Sequence, residues 1–175
     1  MRMILSVEKL KQFIKTEEPE EVLNAKLQAL ELLIRKHTNN NFQVRAIRSV
    51  GTFKAGKLYC DTSKLRDGDT VQISESEYNE GLLTVSGMED GTIQAADSID
   101  EDCVLVTKVY YPPDIVMGAV NMLKWDLENR GKVGVQSETI ARHSVTYFNM
   151  DGDNSSLGYP KSLVGFMQPY KKARF

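Results

Sequence analysis

Apolar residues along the first third of the chain recur at helical spacing. Val7, Leu10, Phe13 and Ile14 form one short stripe, and Ser6 stands where a helix-capping hydroxyl is needed. This predicts a helix from Ser6 to Lys15. A second stripe, Leu23, Leu27, Leu30, Ile34 and His37, steps by four, three, four and three residues. It predicts a helix from Pro19 to about Lys36, with Pro19 preset for the first turn and Glu20 and Glu21 at the positive end of the helix dipole. Thr38-Asn39-Asn40-Asn41 ends it, because short polar side chains compete for backbone hydrogen bonds.

From Val44 to Tyr111 the pattern alternates instead. Turn residues arrive at Lys54-Ala55-Gly56, Asp67-Gly68-Asp69, Asn79-Glu80-Gly81, Glu89-Asp90-Gly91 and Asp97 to Asp102. They separate candidate strands at Leu58–Cys60, Thr70–Ile73, Leu82–Met88, Thr92–Ala95 and Val104–Tyr110. Asp90-Gly91 reads as a tight hairpin turn whose two central residues need positive φ. So many short strands predict a small antiparallel barrel, SH3-like or OB-like.

Helical spacing returns after Pro112-Pro113, with Val116, Ala119 or Val120, Leu123 and Leu127 on one stripe and Gly131 as the stop. Ser137 to Phe148 then alternates as a strand whose two faces both mix polar and apolar groups. Such a strand suits an arm laid across a partner. The expected organisation is therefore α+β, a helical part at 1–44 and 111–175 with three main helices and a short C-terminal helix. A β-barrel-like domain at 45–110 interrupts it.

Composition changes little in this picture. The 175 residues are 41% hydrophobic and 26% charged, ordinary for a globular chain, and no apolar run approaches the ~20 residues that span a bilayer. The apolar stretch after Met1-Arg2 is too short for a signal peptide, so the chain is expected to remain in the cytoplasm where it is made. Cys60 and Cys103 lack any CxxC or histidine companion and read as buried thiols.

Charge is more informative in its distribution than in its total. Residues 45 to 66 carry Arg45, Arg48, Lys54, Lys57, Lys64 and Arg66 against Asp61 alone. Residues 75 to 102 carry nine carboxylates, Glu75, Glu77, Glu80, Glu89 and Asp90 among them, with no lysine or arginine. Solvated loops are one explanation. The others are a heterologous contact between copies, or an acidic lining that keeps passing DNA from sticking.

Catalytic signatures are absent: the chain has no GxSxG, HExxH, P-loop or GxGxxG pattern. Asp151-Gly152-Asp153-Asn154-Ser155 lacks the spacing of a calcium loop, and no cofactor or metal is expected. Phe53, Tyr59 and Tyr78 near lysines leave a single-stranded nucleic-acid-binding barrel as the alternative, against which a net charge of −2 argues.

The last forty residues carry a resemblance. Ser137-Glu138-Thr139-Ile140 leads into Ser144-Val145-Thr146-Tyr147-Phe148, and Tyr159-Pro160 leads into Pro169-Tyr170-Lys171-Lys172-Ala173-Arg174-Phe175. With Pro112-Pro113-Asp114-Ile115 opening a helix that closes at Asn129-Arg130-Gly131, this resembles the head-tail connector proteins of tailed bacteriophages and prophages. The resemblance implies a structural virion protein, not an enzyme, forming a dodecameric ring between the portal protein and a downstream stopper or tail-completion protein. DNA would be only passing cargo, and no membrane would be involved. Tyr147, Phe148, Tyr170, Lys171, Lys172, Arg174 and Phe175 would then touch the portal or a neighbouring subunit. Three fixed charges in the last five residues are costly to bury, so this ending is expected to be mobile in the free subunit.

Overall fold

A computed structural model describes residues 4–129, 137–140, 143–146 and 155–173. The chain divides into two compact units, one of residues 40–111 and one of the flanking segments, 4–39 with 112 onward.

The unit of residues 40–111 is one six-stranded antiparallel sheet. Its strands are β1 (Gln43–Lys54), β2 (Lys57–Tyr59), β3 (Thr70–Ser74), β4 (Gly81–Thr84), β5 (Thr92–Gln94) and β6 (Glu101–Val109). They lie in the order β4-β3-β6-β1-β2-β5, so β4 and β5 are the edges of a curled half-barrel rather than neighbours in a closed one. Phe53, Leu58, Val71, Ile73, Val85, Ile93, Val104 and Val106 fill its concave side, all buried. The β2–β5 and β3–β4 pairs are short, but β1 and β6 cross the whole unit and carry both halves. Asp90 and Gly91 take φ of 46° and 78°, the left-handed pair expected of the tight turn, and the Glu89–Thr92 bridge closes it. At the mouth of the sheet the Tyr110 N–H donates to the Phe42 carbonyl at 2.9 Å, and the Phe42 and Tyr111 rings meet at 5.0 Å. The two chain ends of this unit are thereby fastened to each other.

The other unit contains the helices: α1 (Val7–Phe13), α2 (Glu20–Thr38), α3 (Pro113–Asn129) and α4 (Lys161–Val164), followed by a 3₁₀ turn at Gly165–Tyr170. Ser6 caps α1 through its hydroxyl, which accepts from the Lys9 N–H. Asn39 ends α2 in the left-handed conformation, its N–H reaching the Arg35 and Lys36 carbonyls. Leu23, Leu27, Leu30 and Ile34 are buried, as the helical spacing predicts. α3 buries Ile115, Gly118, Ala119, Val120, Met122 and Leu123. Its buried stripe is therefore shifted from the predicted one, since Val116 and Leu127 are only half-buried.

The predicted fold class needs correction. Only α2 and α3 are long, α1 has 7 residues, and there is one helix-rich region beside a strand-rich one. The strands form an open six-stranded half-barrel instead of an inserted closed barrel. Closure fails because β4 and β5 do not pair with each other among the described residues. Phe13, assigned to the α1 stripe, is 54% exposed, because the buried face runs through Val7, Leu10 and Ile14 and position 13 lies to one side of it. Cys103, expected to be buried, is exposed, while Cys60 is half-buried with its thiol pushed up to about 11 by burial and then by Asp61.

Candidate docking interface

The sequence nominates three regions for contact with a partner: the C-terminal segment, the stretch 137–148 and the acidic residues of 75–102. The C-terminal segment is built on the ends of α2 and α3. Pro160 leads into α4, and Val164 and Met167 are buried. The turn then delivers Tyr170 to the first turn of α3, where its hydroxyl donates to both oxygens of Asp114, at 2.8 and 2.7 Å. The Lys172 N–H next donates to the Thr38 carbonyl at 2.8 Å. The Asn39 side-chain amide donates to the Ala173 carbonyl at 2.9 Å. The segment through residue 173 is thus tied to its own unit, against the expectation of a mobile ending. Backbone groups at Lys172 and Ala173, not the three charges, carry this attachment.

Side chains of Lys171 and Lys172 remain exposed. His37, in the last turn of α2, has its pKa lowered by burial and further by the charge of Lys171, both of which disfavour the imidazolium. Arg174 and Phe175 lie outside the described residues, as do Tyr147 and Phe148.

Where a single strand was predicted over Ser137–Phe148, two strands stand: β7 (Ser137–Ile140) and β8 (His143–Thr146), paired antiparallel with Ser137 opposite Thr146. They form a sheet of their own. A second small pair, β9 (Ser155–Ser156) and β10 (Tyr159–Pro160), precedes α4. There the Tyr159 hydroxyl donates to Asp126 at 3.0 Å and its ring meets Trp125 at 5.5 Å, which fixes the approach to the C-terminal segment.

Glu75, Glu77, Glu80, Glu89 and Asp90 are all exposed. The loop that carries the first three is organised around Glu101, whose carboxylate accepts from the Ser76 hydroxyl at 2.5 Å, the Glu77 N–H at 2.6 Å and the Asn79 amide at 2.9 Å. These bonds, the Ser76 one foremost, hold its pKa below the ordinary value. Glu80 also borders a cleft of about 400 Å³ between β4 and the segment after β5, floored by Phe53, Ile73 and Ala95. Two buried hydroxyls in its lining, Thr84 Oγ1 and Ser98 Oγ, have no hydrogen-bond partner.

Among the aromatics considered for stacking bases, Phe53 is buried in the sheet core, whereas Tyr59 and Tyr78 are exposed. Phe53 is therefore unavailable to a ligand. No group of three or more His, Cys, Asp or Glu among the described residues is placed to hold a metal, and no helix there is long and apolar enough to cross a membrane. Comparison with protein-family models and with curated proteins finds no match.

Proposed function

We propose that this chain is a head-tail connector subunit of a tailed bacteriophage or prophage, a structural, non-enzymatic virion protein. In the virion it forms a ring beneath the portal, extends the DNA channel and presents a surface to the next stopper or tail-completion protein. The observation that carries this reading is the fixed C-terminal segment. Its backbone is clamped by Thr38 and Asn39 and its tyrosine by Asp114, yet Lys171 and Lys172 project into solvent. A cationic surface held in place before binding loses little conformational entropy when it docks, which favours a specific protein partner over loose charge attraction. The β7–β8 hairpin, a two-stranded sheet of its own, adds a second element suited to a neighbouring subunit. The exposed carboxylates from Glu75 to Asp90 suit a surface past which DNA must slide.

Co-sedimentation with the portal protein encoded in the same genome tests this. The chain should join portal rings in a fixed stoichiometry, and Lys171→Glu with Lys172→Glu should abolish the association while leaving the circular dichroism spectrum unchanged. Absence of portal binding by the intact chain, or full binding by the double variant, would overturn the reading.

A further inference from the structure

We infer that the outer face of the β1–β2 hairpin is a docking surface for the acidic loops of a second copy of this chain. This rests on the ring reading above and names the two surfaces that meet in the ring.

Register sets the face. Phe53 and Leu58 stand opposite each other and are buried, so the flanking pairs, Thr52 with Tyr59 and Lys54 with Lys57, stand on the other side of the sheet. Nearer the start of β1, Arg48 and Val50 share that side. Val50 and Tyr59 are exposed. Two lysines directly opposite each other repel. Neither makes an ion pair among the described residues, and Asp100, which reaches the turn between them, accepts from the Ala55 N–H at 2.8 Å instead. The Arg48 Nε–H donates to the Thr107 hydroxyl at 3.0 Å, which fixes a third cation on the face. Exposed apolar side chains set among cations without counter-charges suit an anionic partner that has apolar surface of its own.

The chain carries such a surface. The Asn79 side chain donates to the Ile99 carbonyl at 2.8 Å and accepts from the Ile99 N–H at 2.9 Å, so the 75–80 and 97–101 loops are fastened together. They present Tyr78, 57% exposed, and Ile99, 55% exposed, among the exposed carboxylates Glu75, Glu77, Glu80 and Asp97. None of the four makes an ion pair among the described residues, and residues 75–102 contain no lysine or arginine. The two surfaces match in apolar content and oppose in sign. They are different patches, so the contact between copies is heterologous, as a ring requires. Glu89 and Asp90, on the turn before β5, take no part and stay available to face DNA. A nucleic acid also pairs cations with an aromatic ring, yet the exposed Val50 and the net charge of −2 favour a protein.

Charge exchange decides it. Sedimentation velocity of the chain alone, over a rising concentration series at low ionic strength, should show self-association that added salt weakens. Lys54→Glu with Lys57→Glu, and separately Glu77→Lys with Asp97→Lys, should each weaken it at least about tenfold, because each sets like charges face to face. An equimolar mixture of the two variants should regain it, since the altered face of the first then meets the altered loops of the second. No gain on mixing, or association that neither variant changes, would overturn the proposal. A parent chain that stays monomeric throughout would also overturn it, in favour of nucleic acid if Lys54 and Lys57 then prove to hold a single-stranded oligonucleotide. Tyr78→Ser with Ile99→Ser leaves every charge in place and supplies an independent readout. Association should again fall about tenfold or more, and unchanged association would count against the contact. Portal binding is measured separately: self-association by a chain that ignores the portal would support the contact and sink the connector reading, whereas portal binding without any effect of these variants on self-association would do the reverse.

Discussion

The Tyr170 hydroxyl sits 2.8 and 2.7 Å from the two carboxylate oxygens of Asp114, joining the end of the chain to the start of a helix 56 residues earlier. Its neighbourhood is solvent-accessible, so the bond contributes modestly, and Tyr170→Phe should cost about 1 kcal/mol. Asp114→Asn should cost less, because it retains an acceptor. Removing residues 170–175 should cost more than either, since the Thr38 and Asn39 contacts go too. Chemical denaturation of the three variants checks the order.

His37 makes the docked terminus sensitive to acid. Burial and Lys171 lower its pKa from 6.5, so the unfolded chain binds the proton more readily than the folded one. Stability linked to this group is complete above 6.5 and falls as pH drops through 6.5 toward the lower folded value. The Lys172 amide, bonded to Thr38, should therefore exchange faster with solvent at pH 5 than at pH 7 after correction for intrinsic rates. His37→Gln should flatten that difference, and Lys171→Met should shrink it.

Gly118 faces the Phe166 ring so closely that a Cβ at 118 would lie inside the ring's van der Waals envelope. Gly118→Ala should destabilise the helical unit by roughly 1–3 kcal/mol, although alanine is the better helix former. Combining it with Phe166→Ala should cost less than the sum of the two single changes, because the methyl then occupies vacated space. Strictly additive costs in a thermal-unfolding cycle would show that the ring moves aside freely.

Glu101 sets a second acid limit, in the sheet. Its carboxyl is held below 4.5 by hydrogen bonds from Ser76, Glu77 and Asn79. The order it gives the 75–80 loop is present above 4.5 and is lost as pH falls through the lower folded value. Glu101→Gln should loosen the loop at neutral pH to the state that the parent reaches only in acid. Limited proteolysis after Glu75, Glu77 or Glu80 reports it.

What the sequence revealed depended on how local each cause was. The Leu23-to-Ile34 stripe and the Asp90-Gly91 turn act within a few residues, and both stand in the structure. In residues 43–50 the alternation does not mark a buried face, since Val50 is 65% exposed, so β1 is fixed by its pairing with β6 rather than by its own pattern. Sheet openness was equally hidden, since it turns on whether β4 and β5 meet. Ala141-Arg142 carries no glycine, proline, asparagine or aspartate, so nothing separated β7 from β8 in the alternation. The clamp on the terminus required Asp114 and Asn39, distant partners that no spacing nominates.

The fastening of Phe42 to Tyr110 and Tyr111 has a further consequence for how the chain folds. Residues 40–111 lie between α2 and α3, and as a flexible loop they would oppose the meeting of those helices entropically. Once the sheet has folded its ends are already together, and the effective loop shrinks to a few residues, relieving roughly 3 kcal/mol of closure cost. During synthesis α2 emerges long before α3, so the sheet can fold in the interval and hold the two halves of the helical unit at high effective concentration. A substitution deep in the sheet core would then weaken the helices by polymer statistics alone, without altering any atom they touch.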